Sequence, residues 1–144
     1  MQENEISKLI IGAAIEVHRH LGPGLLESVY EEALCHKMHL RKLAFRRQHS
    51  VPISYNGLNL ASGLRLDLLV EGKVIVDLKA KEQLSTIDRP QLLTYLRLCN
   101  LRLGLIINFH VAVLKSGVFR EVNNLAEESI EPSDSSAPLR LNSN

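Results

Sequence analysis

Asp77 and Lys79 stand two residues apart in the run Val74 to Ala80, whose other members are valine, isoleucine, leucine and alanine. If that run is a strand, Val74, Val76, Leu78 and Ala80 face one way, and Ile75, Asp77 and Lys79 the other. An acid and a base then share one face of an otherwise apolar ribbon. Just upstream, Asp67 lies between Leu66 and Leu68. Burying these three charges in a sheet costs several kcal/mol each unless they are paired, solvated or bound to a metal.

On these residues alone two readings stand open. The first is a buried Asp–Lys ion pair with one exposed aspartate, a structural arrangement and nothing more. The second is a cation site, because two carboxylates and a backbone carbonyl are hard oxygen ligands suited to Mg²⁺ or Mn²⁺. Register separates them. A two-residue loop at Glu71-Gly72 pairs Val70 with Lys73 and Asp67 with Val76, which sends Asp67 and Asp77 to opposite faces. An odd loop, or a bulge, is needed to bring Asp67 across from Asp77.

The rest of the chain must position these groups. Ile6, Leu9, Ile10, Ala13, Ala14, Val17 and Leu21 recur at helical spacing, with Asn4 as the expected cap. Gly22-Pro23-Gly24 breaks the chain, and Leu26, Val29, Tyr30, Ala33, Leu34 and Met38 predict a second helix that frays near Arg41 to Leu43. From Ser50 the period changes to two, and Asn56-Gly57 is a strong hairpin signal. Strands are expected over Leu58 to Val70, with a break near Ser62-Gly63, and over Val74 to Ala80. A helix follows from Asp88 to Asn100, and Leu103 to Phe109 reads as a strand covered on both faces. Val111 to Val122 adds one or two edge strands. The crossover from Val74–Ala80 to Leu103–Phe109 should be right-handed and the pair parallel. An α/β fold with a mixed sheet, in the order α-α-β-β-β-α-β, is the expectation.

With 144 residues, 45% hydrophobic and 23% charged, the chain has the composition of one soluble globular domain. No apolar stretch approaches the ~18–20 residues of a membrane span. The opening Met1-Gln2-Glu3-Asn4-Glu5 is acidic, unlike a signal peptide. Cys35 and Cys99 are too few for a disulfide framework or a cysteine-based metal cluster. A reduced, cytoplasmic protein is expected. Residues 1–123 form the expected domain, and the Pro/Ser-rich remainder, 124–144, an expected disordered tail. The net charge of +1 conceals an asymmetry: residues 123–144 carry four acids and one base, so the rest of the chain carries +4. Lys37, Arg41, Lys42, Arg46 and Arg47 lie together with no acid among them. They form either a patch for a nucleic-acid backbone or a solvated helix end. His18, His20, Cys35 and His39 lack the partners of a zinc site and are read as packing or solvated groups.

Gly24-Leu25-Leu26-Glu27-Ser28-Val29-Tyr30 fits a Gly-x-x-Glu-x-x-Tyr pattern. Together with Arg65-Leu66-Asp67, Val76-Asp77-Leu78-Lys79, Gln91-Leu92-Leu93-Thr94-Tyr95-Leu96 and Gly104 to Phe109, it resembles the GxxExxY proteins, a branch of the PD-(D/E)xK nucleases. The resemblance spans roughly residues 5 to 122. It implies a restriction-endonuclease-like domain that uses Mg²⁺ or Mn²⁺ to hydrolyse nucleic acid, DNA foremost. Position by position, it implies that Asp67 and Asp77 are metal-binding acids and that Glu27 is an acid contributed to the site by a helix. Lys79 corresponds to the signature lysine, and Gln91 and Tyr95 to a Gln-x-x-x-Tyr motif. The family more often has glutamate where Asp77 stands, so its shorter reach implies a metal nearer the backbone or held through water.

The residues themselves allow blander roles. Gln91 and Tyr95 share a helical face at i and i+4, yet Asp88-x-x-Gln91 also reads as a capping box. Tyr95 also suits a core aromatic, Glu27 a surface residue in a first helical turn, and Tyr30 a packing residue. Two carboxylates beside Lys79 favour its ammonium form. The competing classes are a non-catalytic nucleic-acid- or protein-binding module, and an accessory subunit or homo-oligomer whose site another chain completes.

Overall fold

The structure, a computed structural model, describes residues 1–125. Two helices come first, α1 (Glu3–Leu21) and α2 (Glu27–Leu40). The strands β1 (Phe45–Tyr55), β2 (Leu58–Val70) and β3 (Val74–Lys79) follow, then α3 (Asp88–Cys99), β4 (Leu103–Asn108), a 3-10 turn (Leu114–Gly117) and β5 (Val118–Val122). The strands form one sheet in the order β1-β2-β3-β4-β5. Its β3–β4 pair is parallel and the other pairs are antiparallel. This is the mixed α/β sheet flanked by helices that the period changes predict, and it has the layout of a restriction-endonuclease-like fold.

Several local details differ from expectation. Gln2, not Asn4, caps α1: its backbone N–H is accepted by Glu5 Oε1 at 3.0 Å, which satisfies the helix start two residues earlier. Asn4 accepts a hydrogen bond from Arg120 instead. Strand β1 begins at Phe45 rather than Ser50, so Arg46 and Arg47 lie on a strand and not at a helix end. The alternation there is hidden by Gln48, whose φ of +50° turns its side chain out of the period-two pattern. Val51 pairs with Leu64 but Ile53 with Leu60, a shift that places extra residues of β2 at the Ser62-Gly63 position. One strand, β5, forms between Val111 and Val122. Of the tail expected from residue 124, only Asn124 and Leu125 are among the described residues, and Leu125 packs against the larger core.

That larger core lies between α1 and α2 and one face of the sheet. Ile6, Ile10, Ala13 and Val17 of α1, with Tyr30, Leu34 and Met38 of α2, meet Val74, Val76, Leu78, Leu105 and Ile107. A smaller core on the opposite face joins Leu92 and Leu96 of α3 to Leu66, Ile75 and Ile106. Each fully buried leucine or isoleucine adds about 1.5–3 kcal/mol. Strand β4 is buried on both faces, which is why its sequence is continuously apolar. At Gly104 a Cβ would stand 2.8 Å from Leu92 Cδ1, so the glycine lets α3 seat closely on β4.

Tyr30 fixes how α2 begins. Its ring stacks on Phe109 with centroids 4.4 Å apart and an interplanar angle of 4°. The hydroxyl donates to the Gly22 carbonyl at 2.5 Å and accepts the Leu25 N–H at 3.1 Å. Gly22 and Gly24 supply the positive φ values, +74° and +100°, that fold the connection back over this hydroxyl. The packing role expected of Tyr30 is thus joined by a second one, pinning the loop that leads into Glu27 at the start of α2.

Candidate active site

Strands β2 and β3 pair at Val70↔Val74, Leu69↔Ile75 and Leu68↔Val76. The connection is therefore the three residues Glu71, Gly72 and Lys73, an odd loop. One further step along this register brings Asp67 opposite Asp77, the arrangement a shared site requires.

The ladder does not continue through that step. Leu68 packs into the larger core and Leu66 into the smaller one, although residues two apart share a face in an unbroken strand. Strand β2 twists at Asp67, and opposite it in β1 the positive φ of Gln48 coincides with a missing pair. Asp67 Oδ2 accepts the backbone N–H of Leu78 at 2.9 Å, so a carboxylate takes the place of a strand partner. The same edge of Leu78 presents its carbonyl, because N–H and C=O of one strand residue point the same way.

Asp77 and Lys79 lie on the α3 side of β3, as their spacing predicts. Lys79 Nζ stands 3.6 Å from Asp77 Oδ1 and 3.9 Å from Asp88 Oδ1. Burial pushes the Asp77 carboxyl up to about 7; Lys79 opposes the shift, while the Asp67 and Glu27 carboxylates add to it. Burial lowers Lys79, but Asp77, Asp88, Glu27 and Asp67 outweigh it and hold the ammonium above its ordinary value. The charged form expected for Lys79 is the form the site favours.

Glu27, the first residue of α2, is exposed at the rim. Partial desolvation raises its carboxyl, and the Asp67 charge raises it further. Tyr95 is half-buried on α3 and feels the same centre: desolvation raises its hydroxyl, as does Asp77. Gln91 lies one turn earlier on the same face of α3, half-buried, and its amide has no hydrogen-bond partner among the described residues. Glu27, Asp67, Asp77 and Lys79 thus fall within electrostatic reach of one another, and Tyr95 within reach of Asp67, Asp77 and Lys79.

Two carboxylates drawn together over a backbone carbonyl, one of them forced toward its protonated form, are a donor set that fits a divalent cation. Asp67, Asp77 and the Leu78 carbonyl are the residues able to hold it. Among the described residues no three His, Cys, Asp or Glu side chains already sit close enough to enclose an ion. Glu27 therefore stands outside the immediate pair in this conformation.

Two residues of the site, Lys81 and Asn108, had no assigned role from sequence, and a third, Asp88, only a capping one. The capping-box alternative for Asp88 and Gln91 is not the arrangement found: Ile87 occupies the cap, and the Asp88 carboxylate accepts the Ser85 N–H at 2.8 Å. It also pairs with Lys81 Nζ at 2.6 Å. Asn108 clamps the Lys81 backbone from both sides, accepting its N–H at 3.2 Å and donating to its carbonyl at 2.8 Å. A lone amide ending the apolar β4 run is a visible signal for Asn108; the spacing to Gln91 marks Asp88 only as a helix-start residue, and nothing local marks Lys81.

The basic residues do not act as one free patch. Lys37 and Arg41 pair with Glu16 of α1, and Arg47 with the buried Glu31 of α2. Lys42 and Arg46 are exposed and make no ion pair among the described residues. His18 is buried and bonds through Nε2 to the Val111 carbonyl at 2.8 Å, a structural role. Both cysteines are free thiols, and no helix among the described residues is long and apolar enough to cross a membrane.

No curated protein and no solved structure matches the chain significantly. The family comparison does: residues 4–121, nearly all of the described chain, match the PD-(D/E)XK nuclease superfamily. Members of that superfamily are nucleases that generally use divalent metal ions. From this match, over a sheet whose second and third strands bring Asp67 to Asp77 and Lys79, the chain belongs to the PD-(D/E)XK nuclease superfamily.

Proposed function

We propose that the protein is a nuclease of the GxxExxY branch, hydrolysing phosphodiester bonds of DNA with Mg²⁺ or Mn²⁺ in a reduced, cytoplasmic setting. The observation that supports this reading is the odd loop after Val70, whose register, one step beyond Leu68↔Val76, matches Asp67 with Asp77, while Lys79 Nζ stands 3.6 Å from Asp77 Oδ1. A cation bound there supplies positive charge at the scissile phosphate and acidifies water near neutral pH.

The chain's own groups do the rest. Asp67, fixed by the Leu78 N–H, and Asp77 are the carboxylates that would hold the cation. Lys79, kept as an ammonium, donates hydrogen bonds to the attacking water and to the phosphate oxygen on which negative charge grows. Glu27 closes on the same centre from the rim, directly or through water. The unpartnered Gln91 amide and the Tyr95 hydroxyl face the substrate from one side of α3. Lys42 and Arg46 contact the nucleic-acid backbone, with Lys37, Arg41 and Arg47 joining once their present partners are exchanged for phosphates.

One observation favours a second reading. Because no preformed three-acid cluster exists among the described residues, a non-catalytic binding module, or a site completed by another chain, accounts for Glu27 standing apart. Linear, circular and single-stranded DNA incubated with Mn²⁺ and either wild type or Lys79→Ala decides between them. Cleavage by wild type alone supports the nuclease; DNA binding without turnover on any substrate supports the module.

A further inference from the structure

Asp88 has no part in the mechanism above, yet it is 5% exposed and three donors converge on it. Lys81 Nζ, at 2.6 Å, and the Ser85 N–H, at 2.8 Å, both meet Oδ2. Lys79 Nζ faces Oδ1 at 3.9 Å while standing 3.6 Å from Asp77 Oδ1. Lys79 is therefore shared between carboxylates from two elements, one on β3 and one at the start of α3. Lys81 cannot drift far from Asp88, because Asn108 anchors its backbone through both N–H and C=O. Its ammonium occupies Oδ2, which leaves Oδ1 to Lys79.

We propose that Asp88 is the positioning residue for Lys79, holding its ammonium over the Asp67–Asp77 pair when Asp77 is engaged elsewhere. The inference rests on the nuclease reading for its purpose, since only a reaction at that pair needs Lys79 kept in place. A cation shared by Asp67 and Asp77 weakens the pull of Asp77 on Lys79 and repels the ammonium directly. Without a second carboxylate, a flexible four-carbon stem would swing away from the centre. Asp88 comes to Lys79 from a different element than Asp77 and is itself held by two other donors, so it keeps its charge and its place.

A purely structural role, joining the start of α3 to the loop at Ser85, is the alternative. Asp88→Asn separates the two, because it keeps an acceptor for the Ser85 N–H and removes the charge. In ¹⁵N-labelled protein, the Lys79 side-chain ammonium resonance, identified by its loss in Lys79→Arg, reports how firmly that group is held. The wild type is expected to show a restrained Lys79 signal with and without Mg²⁺. In Asp88→Asn that signal should broaden or vanish on Mg²⁺ addition. An unchanged signal overturns the proposal, whether or not the protein cleaves DNA.

Kinetics give the second arm. Asp88→Asn should lower kcat about 10- to 100-fold with little change in KM, and Asp88→Glu should recover part of the loss. In a Lys79→Ala background Asp88→Asn should cost nothing further. An equal loss in both backgrounds marks a structural residue and defeats the proposal. If Asp88→Asn does not fold, Asp88→Ser keeps a helix-start acceptor and carries the same expectations. Absence of cleavage by wild type refutes the nuclease reading instead, and the resonance measurement then still decides whether Asp88 positions Lys79.

Discussion

The Asp67 carboxylate accepts the backbone N–H of Leu78 at 2.9 Å, so a side chain of β2 stands where a strand partner of β3 would. The twist of β2 that permits this also ends its pairing with β3 at Leu68↔Val76. A gap opens between two central strands, and two acids and a lysine face it. The site exists because the sheet is interrupted there.

Asp77→Asn is expected to stabilise the metal-free protein while abolishing metal-dependent function. Burial and the neighbouring carboxylates oppose the Asp77 charge. Removing that charge should add roughly 1–4 kcal/mol at pH 8. Chemical denaturation of wild type and variant, both in EDTA, measures it.

The same group sets a pH dependence. Between its ordinary value of 3.8 and about 7, folded Asp77 keeps a proton that the unfolded chain has released. Stability of the metal-free protein from this source therefore falls as pH rises across that window and is lowest above it. A divalent cation must displace the proton, so Mn²⁺ affinity should fall as pH drops below about 7, by up to about tenfold per unit. Calorimetric titrations at pH 6 and pH 8 test the sign.

Tyr30→Phe keeps the stack on Phe109 but loses the bonds to Gly22 and Leu25. It should destabilise the protein by about 1–2 kcal/mol. It should also loosen the loop before Glu27, so cleavage falls more than the stability loss explains. Thermal melts and initial rates at a temperature where both proteins are fully folded separate these effects.

Gly104→Ala drives a methyl into Leu92 and lifts α3 from β4. A loss of about 1–3 kcal/mol is expected, with reduced activity because Asp88, Gln91 and Tyr95 move with the helix. A stability unchanged from wild type would mean that α3 is less closely seated than described.

Much of this was legible in the chain. The periodicities located α1, α2, α3 and the sheet, and the alternation in Val74 to Ala80 placed Asp77 and Lys79 together. Sequence could pose the register question but not answer it, because a loop of two or three residues at Glu71 fits the same letters. Strand β1 was read short because Gln48 departs from extended backbone just where β2 twists, which erases the period-two pattern. The pairing of Arg47 with Glu31, and of Lys79 with Asp88, joins consecutive elements across the loops between them, and no helix or strand period encodes it.

The central claim is that Asp67 and Asp77 together hold one divalent ion, and Mn²⁺ titration followed by electron paramagnetic resonance tests it most directly. Wild type should bind Mn²⁺ in competition with Mg²⁺, and Asp67→Asn and Asp77→Asn should each weaken binding at least about 10- to 100-fold. Equal Mn²⁺ affinity in wild type and both folded variants would contradict the account.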